Sequence, residues 1–256
     1  MSAPRANPAQ DLAAAFVLLT RIPLPWDRIS NAPPDFNASV WAFPVVGSVV
    51  GGSGAAFYAL SLALGLPAVI AAILAIAVMV VLSGAFHEDG LADVADGFGG
   101  GGTVERKLEI MRDSRIGSYG MIAIVLSMGL RIGGLSELTV IQATAALVTG
   151  GMLSRLMVIF IMRYMPPARK DGLAHDTGKP SLSRILIGTA LTMGVAVVLI
   201  EPLPALYATC VAVLSCIIMG WIAKRQIGGF TGDVLGAVQQ VSDIAILLFL
   251  VSFWNS

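Results

Sequence analysis

Three aspartates, Asp89, Asp93 and Asp96, follow one another at i, i+4 and i+7. At about 100° per residue of helix they share roughly a 60° arc of one face. Like charges crowded in this way need a cation. Three hard oxygen ligands suit Mg²⁺ or Mn²⁺, which keep some waters and bridge the rest of their shell to substrate phosphates. Glycines at 90, 97, 99, 100, 101 and 102 let backbone N–H groups approach such phosphates closely. The blander reading is a solvated helix end. It is weaker here because a membrane-length apolar run flanks the cluster, and acids at such a boundary are seldom retained for solubility alone.

The stretch 103–118 reads as a short helix opening at Thr103, with Glu105, Glu109 and Asp113 at i+4 steps and Arg106, Lys107 and Arg112 between them. A charge-laced surface helix is the alternative, above all for Glu105 and Arg106. Glu109, Arg112, Asp113, Ser114 and Arg115 lie nearest the next apolar run and are candidate substrate contacts. Arg112 and Arg115 can grip a phosphate in bidentate fashion, while Ser114, Gly117 and Gly120 admit it to the backbone.

Arg155 stands well inside an apolar run, where it needs a partner; it is a candidate catalytic group or one half of a structural ion pair. Asp233 follows Gly228-Gly229-Phe230-Thr231-Gly232 and either joins the metal shell or caps the last helix. Gln240 shares its face seven residues on, a candidate substrate contact in a lined cavity. Arg131 and Asp243 are similarly buried, without an assigned chemical role. His87 lies about 160° around the helix from Asp89, a secondary candidate, and the other histidine, His175, is distant in sequence. No Ser/His/Asp, Cys/His or zinc spacing is visible, so metal-assisted phosphoryl transfer is the simplest chemistry.

The elements that must position these groups are membrane helices. Of 256 residues, 56% are hydrophobic and only 12% charged, which excludes an ordinary soluble domain and predicts an all-α polytopic bundle forming a single domain over 1–256. Net charge is zero from 16 basic and 16 acidic residues, so bulk charge does not point to nucleic acid. Residues 1–10 lack the apolar region of a secretory signal, and Cys210 and Cys216 read as buried packing residues. Apolar runs at 41–65, 68–86, 119–136, 139–162, 184–200, 205–223 and 234–254 predict about seven spans, with 11–22 an interfacial helix. Placing the N-terminus in the cytoplasm puts every Lys and Arg except Arg131 and Arg155 on that side, while the outer turns carry Glu137 and Glu201. The acidic motif then faces the cytoplasm.

Three segments together resemble the cobalamin synthase family: Phe86-His87-Glu88-Asp89-Gly90-Leu91-Ala92-Asp93-Val94-Ala95-Asp96-Gly97, the run from Leu108 through Arg112-Asp113-Ser114-Arg115 to Gly120, and Gly228 through Asp233 to Ala237. Arg21-Ile22-Pro23 and Asp171-Gly172-Leu173 are similar too, so the resemblance spans nearly the whole chain. It implies a Mg²⁺-dependent enzyme of the cell (inner) membrane that joins adenosylcobinamide-GDP to α-ribazole or its 5′-phosphate and releases GMP. Membrane lipids are its surroundings, and an oligomer or association with other corrinoid enzymes stays open. Glu88, where the family commonly has an apolar residue, and Gln240, where an acid often stands, depart from its pattern. Two rivals remain at this point. A CDP-alcohol phosphotransferase would place Ala-Arg after the first Asp-Gly and two further aspartates on the next helix, which this chain does not do. A cation-coupled transporter would place interrupted helices at the midplane rather than an acidic cytoplasmic loop.

Overall fold

The computed structural model describes residues 7–172 and 177–256; His175 and Leu173 lie outside them. Among the described residues there is no strand, and the chain is a helical bundle. Short helices α1 (Pro8–Leu19), α2 (Trp26–Ile29) and α3 (Phe36–Ser39) lead into α4 (Phe43–Ala63) and α5 (Ala68–Ser83). The acidic helix α6 (Phe86–Gly100) and the charged α7 (Val104–Ile110) follow. The remaining helices are α8 (Ser118–Ser136), α9 (Val140–Tyr164), α10 (Leu182–Ile200), α11 (Pro202–Ile227) and α12 (Gly232–Trp254). Six of these stretches are long and apolar enough to cross a membrane, and α5 with α6 makes a seventh if that bent pair is one span. Each apolar run read from the sequence corresponds to one of these helices.

The central span is α9. Its apolar window is 89% buried against 22% for α8, so α9 packs on protein all round while α8 shows most of its surface outward. Small residues let α4 close onto α9: a methyl on Gly47 would collide with the backbone of Gly151. At the far end of α4 the Tyr58 hydroxyl lies 3.0 Å from the Leu135 carbonyl and 2.9 Å from that of Leu138, which ties α4 to the turn between α8 and α9. Thr139 and Gln142 then open α9 with a reciprocal capping box. Cys216 is buried as expected, but Cys210 is exposed, because it falls on the outward apolar face of α11.

The feature that builds the site is the bend between α5 and α6. Gly84 and Ala85 both take left-handed backbone, at φ 66° and 56°, and the chain turns by 89°. A left-handed alanine is strained by about 1 kcal/mol, so the surrounding packing must hold it there. The turn drives α6 across α12 so closely that a methyl on Gly90 would stand 2.8 Å from the Asp233 carbonyl oxygen, and one on Gly236 3.2 Å from that of His87. Two glycines therefore set the separation of the helices that carry Asp89, Asp93 and Asp233.

Candidate active site

Asp89 is exposed and Asp93 half-buried on the outward face of α6, and Asp93 lies in the field of Asp89, Asp233 and Asp96. Asp233 sits in the first turn of α12, whose cap is Thr231; that hydroxyl accepts from the Val234 amide at 3.3 Å and lies 3.1 Å from Asp233 Oδ2. The sequence left a capping role open for Asp233. Thr231 fills it and leaves the carboxylate facing the acids of α6.

Among the described residues the cation closest to this group is Arg169, with Arg112 also acting on Asp233. The loop of Arg169 is stitched to the start of α12 by paired backbone hydrogen bonds, Phe230 N to Pro166 O at 3.0 Å and Ala168 N to Phe230 O at 2.8 Å. Arg169 Nη1 lies 3.9 Å from Asp233 Oδ2, and Nη2 donates to the Leu108 carbonyl at 2.8 Å. Burial pulls the guanidinium below its ordinary value while Asp233 opposes the shift. Against Arg169 and Arg112, the carboxylates of Asp89, Asp93 and Asp233 still leave net negative charge, and every donor is a hard oxygen. Such a set suits Mg²⁺ or Mn²⁺ completed by water and phosphate. Among the described residues no group of three or more His, Cys, Asp or Glu side chains is arranged to hold a metal ion by itself.

Asp96, expected among the metal ligands, also has partners on α8. Its spacing places it with the ligands, and Gly117 N and Gly120 N donate to its two oxygens at 2.7 and 2.8 Å. A methyl at either glycine would run into the carboxylate. The charge thus sits at the amino end of α8, where free N–H groups and the helix dipole stabilise an anion. Replacing Asp96 by Asn should therefore destabilise the fold by about 2 kcal/mol, since the amide nitrogen faces a donor and the charge is gone. Urea unfolding followed by circular dichroism measures this, and a native-like midpoint would contradict the anchoring role.

Between α6, α7 and the start of α8 lies a cleft of about 590 Å³ lined in part by Asp96, Arg106, Arg112, Arg115 and Tyr119. Its arginines are paired within the protein. Arg112 Nη2 donates to both Asp171 oxygens at 2.7 and 2.8 Å, Arg115 is 2.6 Å from Asp113, and Arg106 is 2.7 Å from Glu109. The Arg115 hydrogen bonds hold the Asp113 carboxyl down at about 2. These pairs are solvated and add little to stability, so an incoming phosphate can exchange for the carboxylates at small cost. Ser114 and Gly117 are exposed at the same rim.

Arg155 and Gln240 stand elsewhere. Both are buried beneath the acids, where Arg155 Nη1 donates to the Gly151 carbonyl at 3.1 Å and Gln240 Nε2 to Glu88 Oε1 at 3.1 Å. Sequence spacing missed Arg169, since nothing periodic shows that the loop after α9 folds back onto Phe230. It also missed the partnership of Glu88 with Arg131 and Gln240; the available signal was that Arg131 and Gln240 are polar within apolar runs and that Glu88 lies off the arc of the three aspartates.

Fold and site together define a polytopic helical membrane protein whose acids and arginines converge at one end of the bundle. The family described as cobalamin-5-phosphate synthase matches residues 11–251. A protein of Azorhizobium caulinodans called adenosylcobinamide-GDP ribazoletransferase is 44% identical over 247 residues, covering 93% of this chain and 94% of that protein. Proteins of the same name from Bradyrhizobium diazoefficiens and Xanthobacter autotrophicus are 42% and 41% identical over 252 and 256 residues, each alignment covering 96% of this chain and 95% and 97% of the relative. The chain belongs to the cobalamin-5-phosphate synthase family, which sets aside both the CDP-alcohol phosphotransferase and the transporter. No solved structure matches it.

Proposed function

We propose that this protein is an adenosylcobinamide-GDP ribazoletransferase that joins the activated corrinoid to α-ribazole or its 5′-phosphate and releases GMP, from a site on the cytoplasmic side of the inner membrane. The observation that carries the reading is the close crossing of α6 and α12 at Gly90, which brings the helix bearing Asp89 and Asp93 against Asp233, with Arg169 3.9 Å from Asp233 and a neighbouring cleft bearing Arg112 and Arg115. Asp89, Asp93 and Asp233 would hold Mg²⁺, which supplies charge neutralisation on the diphosphate. Arg112 and Arg115 leave Asp171 and Asp113 to take phosphate oxygens, and Arg169, fixed by Leu108 and the loop pairing, stays to steady the departing GMP. The ribazole 3′-hydroxyl attacks the phosphorus nearest the corrinoid. The new O–P bond forms as the bond to the GMP phosphate breaks, and the hydroxyl proton passes to a carboxylate at the site.

A single displacement with both substrates bound needs no covalent enzyme intermediate. Purified protein given adenosylcobinamide-GDP, α-ribazole and Mg²⁺ should yield GMP and adenosylcobalamin one for one by mass spectrometry. 3′-Deoxy-α-ribazole should bind and yield neither. GMP released without acceptor, with a corrinoid phosphate trapped on the protein, would overturn direct transfer.

A further inference from the structure

Directly below the acid cluster the bundle contains a layer of polar side chains that the reaction does not use. Glu88 on α6, Arg131 on α8, Arg155 on α9 and Gln239, Gln240 and Asp243 on α12 are all 9% exposed or less. Glu88 Oε1 is the node. It accepts from Arg131 Nη1 and from Gln240 Nε2, each at 3.1 Å. Arg131 also reaches Gln240 Oε1 at 3.4 Å and Asp243 at 3.7 Å, and Gln240 passes the chain to Gln239 and on to Ser154 of α9. Charged groups are costly in such surroundings and persist where they fix one geometry. Glu88 precedes Asp89 in the chain but faces inward, about 100° around the helix. Gln240 lies two turns below Asp233 on α12.

We propose that Glu88 is a positioning residue: its shared hydrogen bonds to Arg131 and Gln240 lock the rotation and depth of α6 against α12, and thereby the spacing of Asp89 and Asp93 from Asp233. The proposal rests on the reading of those three aspartates as the metal site. Because Arg131 touches both Glu88 and Gln240, the carboxylate can in principle be supplied from either helix. Glu88→Gln combined with Gln240→Glu moves the charge across one 3.1 Å contact and keeps it beside the same arginine.

The test uses the full chain in lipid nanodiscs, with Glu88→Gln, Gln240→Glu and the double exchange. Mn²⁺ affinity is read by electron paramagnetic resonance without substrate, alongside kcat, KM for α-ribazole and thermal unfolding. Each single variant should weaken Mn²⁺ binding by about tenfold and lower kcat by a similar factor, the usual scale for a group that orients metal ligands, with KM within about twofold. The double exchange should bring both quantities back to within about threefold. A Glu88→Gln protein that unfolds earlier yet keeps native Mn²⁺ affinity and kcat would reduce the network to stability and overturn the proposal. So would a double exchange that inserts but stays as impaired as Glu88→Gln, or one that fails to insert. Unchanged Mn²⁺ affinity in Asp93→Asn would instead sink the metal-site reading, leaving recovery of kcat in the double exchange to decide the positioning role.

Discussion

Asp93→Asn should lower ribazole transfer by at least about a hundredfold while leaving the protein as stable as before or slightly more so. Asp93 is surrounded by Asp89, Asp233 and Asp96, with Arg169 the opposing charge it senses. Asparagine keeps the shape and removes one negative charge from that crowd. Repulsion in the folded state falls, so stability does not suffer, and the affinity of the remaining carboxylates for a divalent cation falls with it. Asp93→Asn and Asp96→Asn should therefore part ways: the first loses turnover without loss of stability, the second loses stability as well. GMP release measured across a Mg²⁺ titration, together with thermal unfolding, separates them. Near-native turnover of Asp93→Asn at limiting Mg²⁺ would rule out Asp93 as a ligand.

The second large effect is expected from Gly90→Val. The added Cβ stands 2.8 Å from the Asp233 carbonyl oxygen and 3.2 Å from the Gly236 Cα, so it meets backbone, which cannot rotate away. The crossing of α6 and α12 must open. A displacement near 1 Å in a catalytic constellation costs about a hundredfold in rate, and overpacking costs about 1–3 kcal/mol in stability. Turnover should fall to roughly 1% of wild type on that scale. Gly52→Ala is the matched control, since nothing lies within 4 Å of the position its methyl would take. Equal loss in both variants would show a general intolerance of α-carbon substitution rather than a requirement at the crossing.

Much of the architecture was legible from composition and periodicity. Apolar runs of bilayer length have few alternatives to helix, because each backbone group must be satisfied within its own segment. The triad spacing likewise put Asp89 and Asp93 on one face without any tertiary information, since a helix has a fixed period. Thr103 announced α7 for a similar local reason, and its side chain does accept the Arg106 amide.

What spacing could not reveal was which oxygen faces which partner. Asp96 has the same helical register as its two neighbours, but only the approach of α8 decides that its carboxylate meets two backbone amides. Arg155 and Gln240 looked equally available to substrate as sequence symbols, and the packing of α9 and α12 places them beneath the site. Arg169 enters because two backbone hydrogen bonds bring the loop after α9 to the start of α12, a contact between residues some 60 positions apart. Local periodicity is a property of one segment and was fully present in the sequence. The 89° turn at Gly84-Ala85, the glycine crossing and the exchange of hydrogen bonds between helices depend on how segments meet, and only the folded chain decided them.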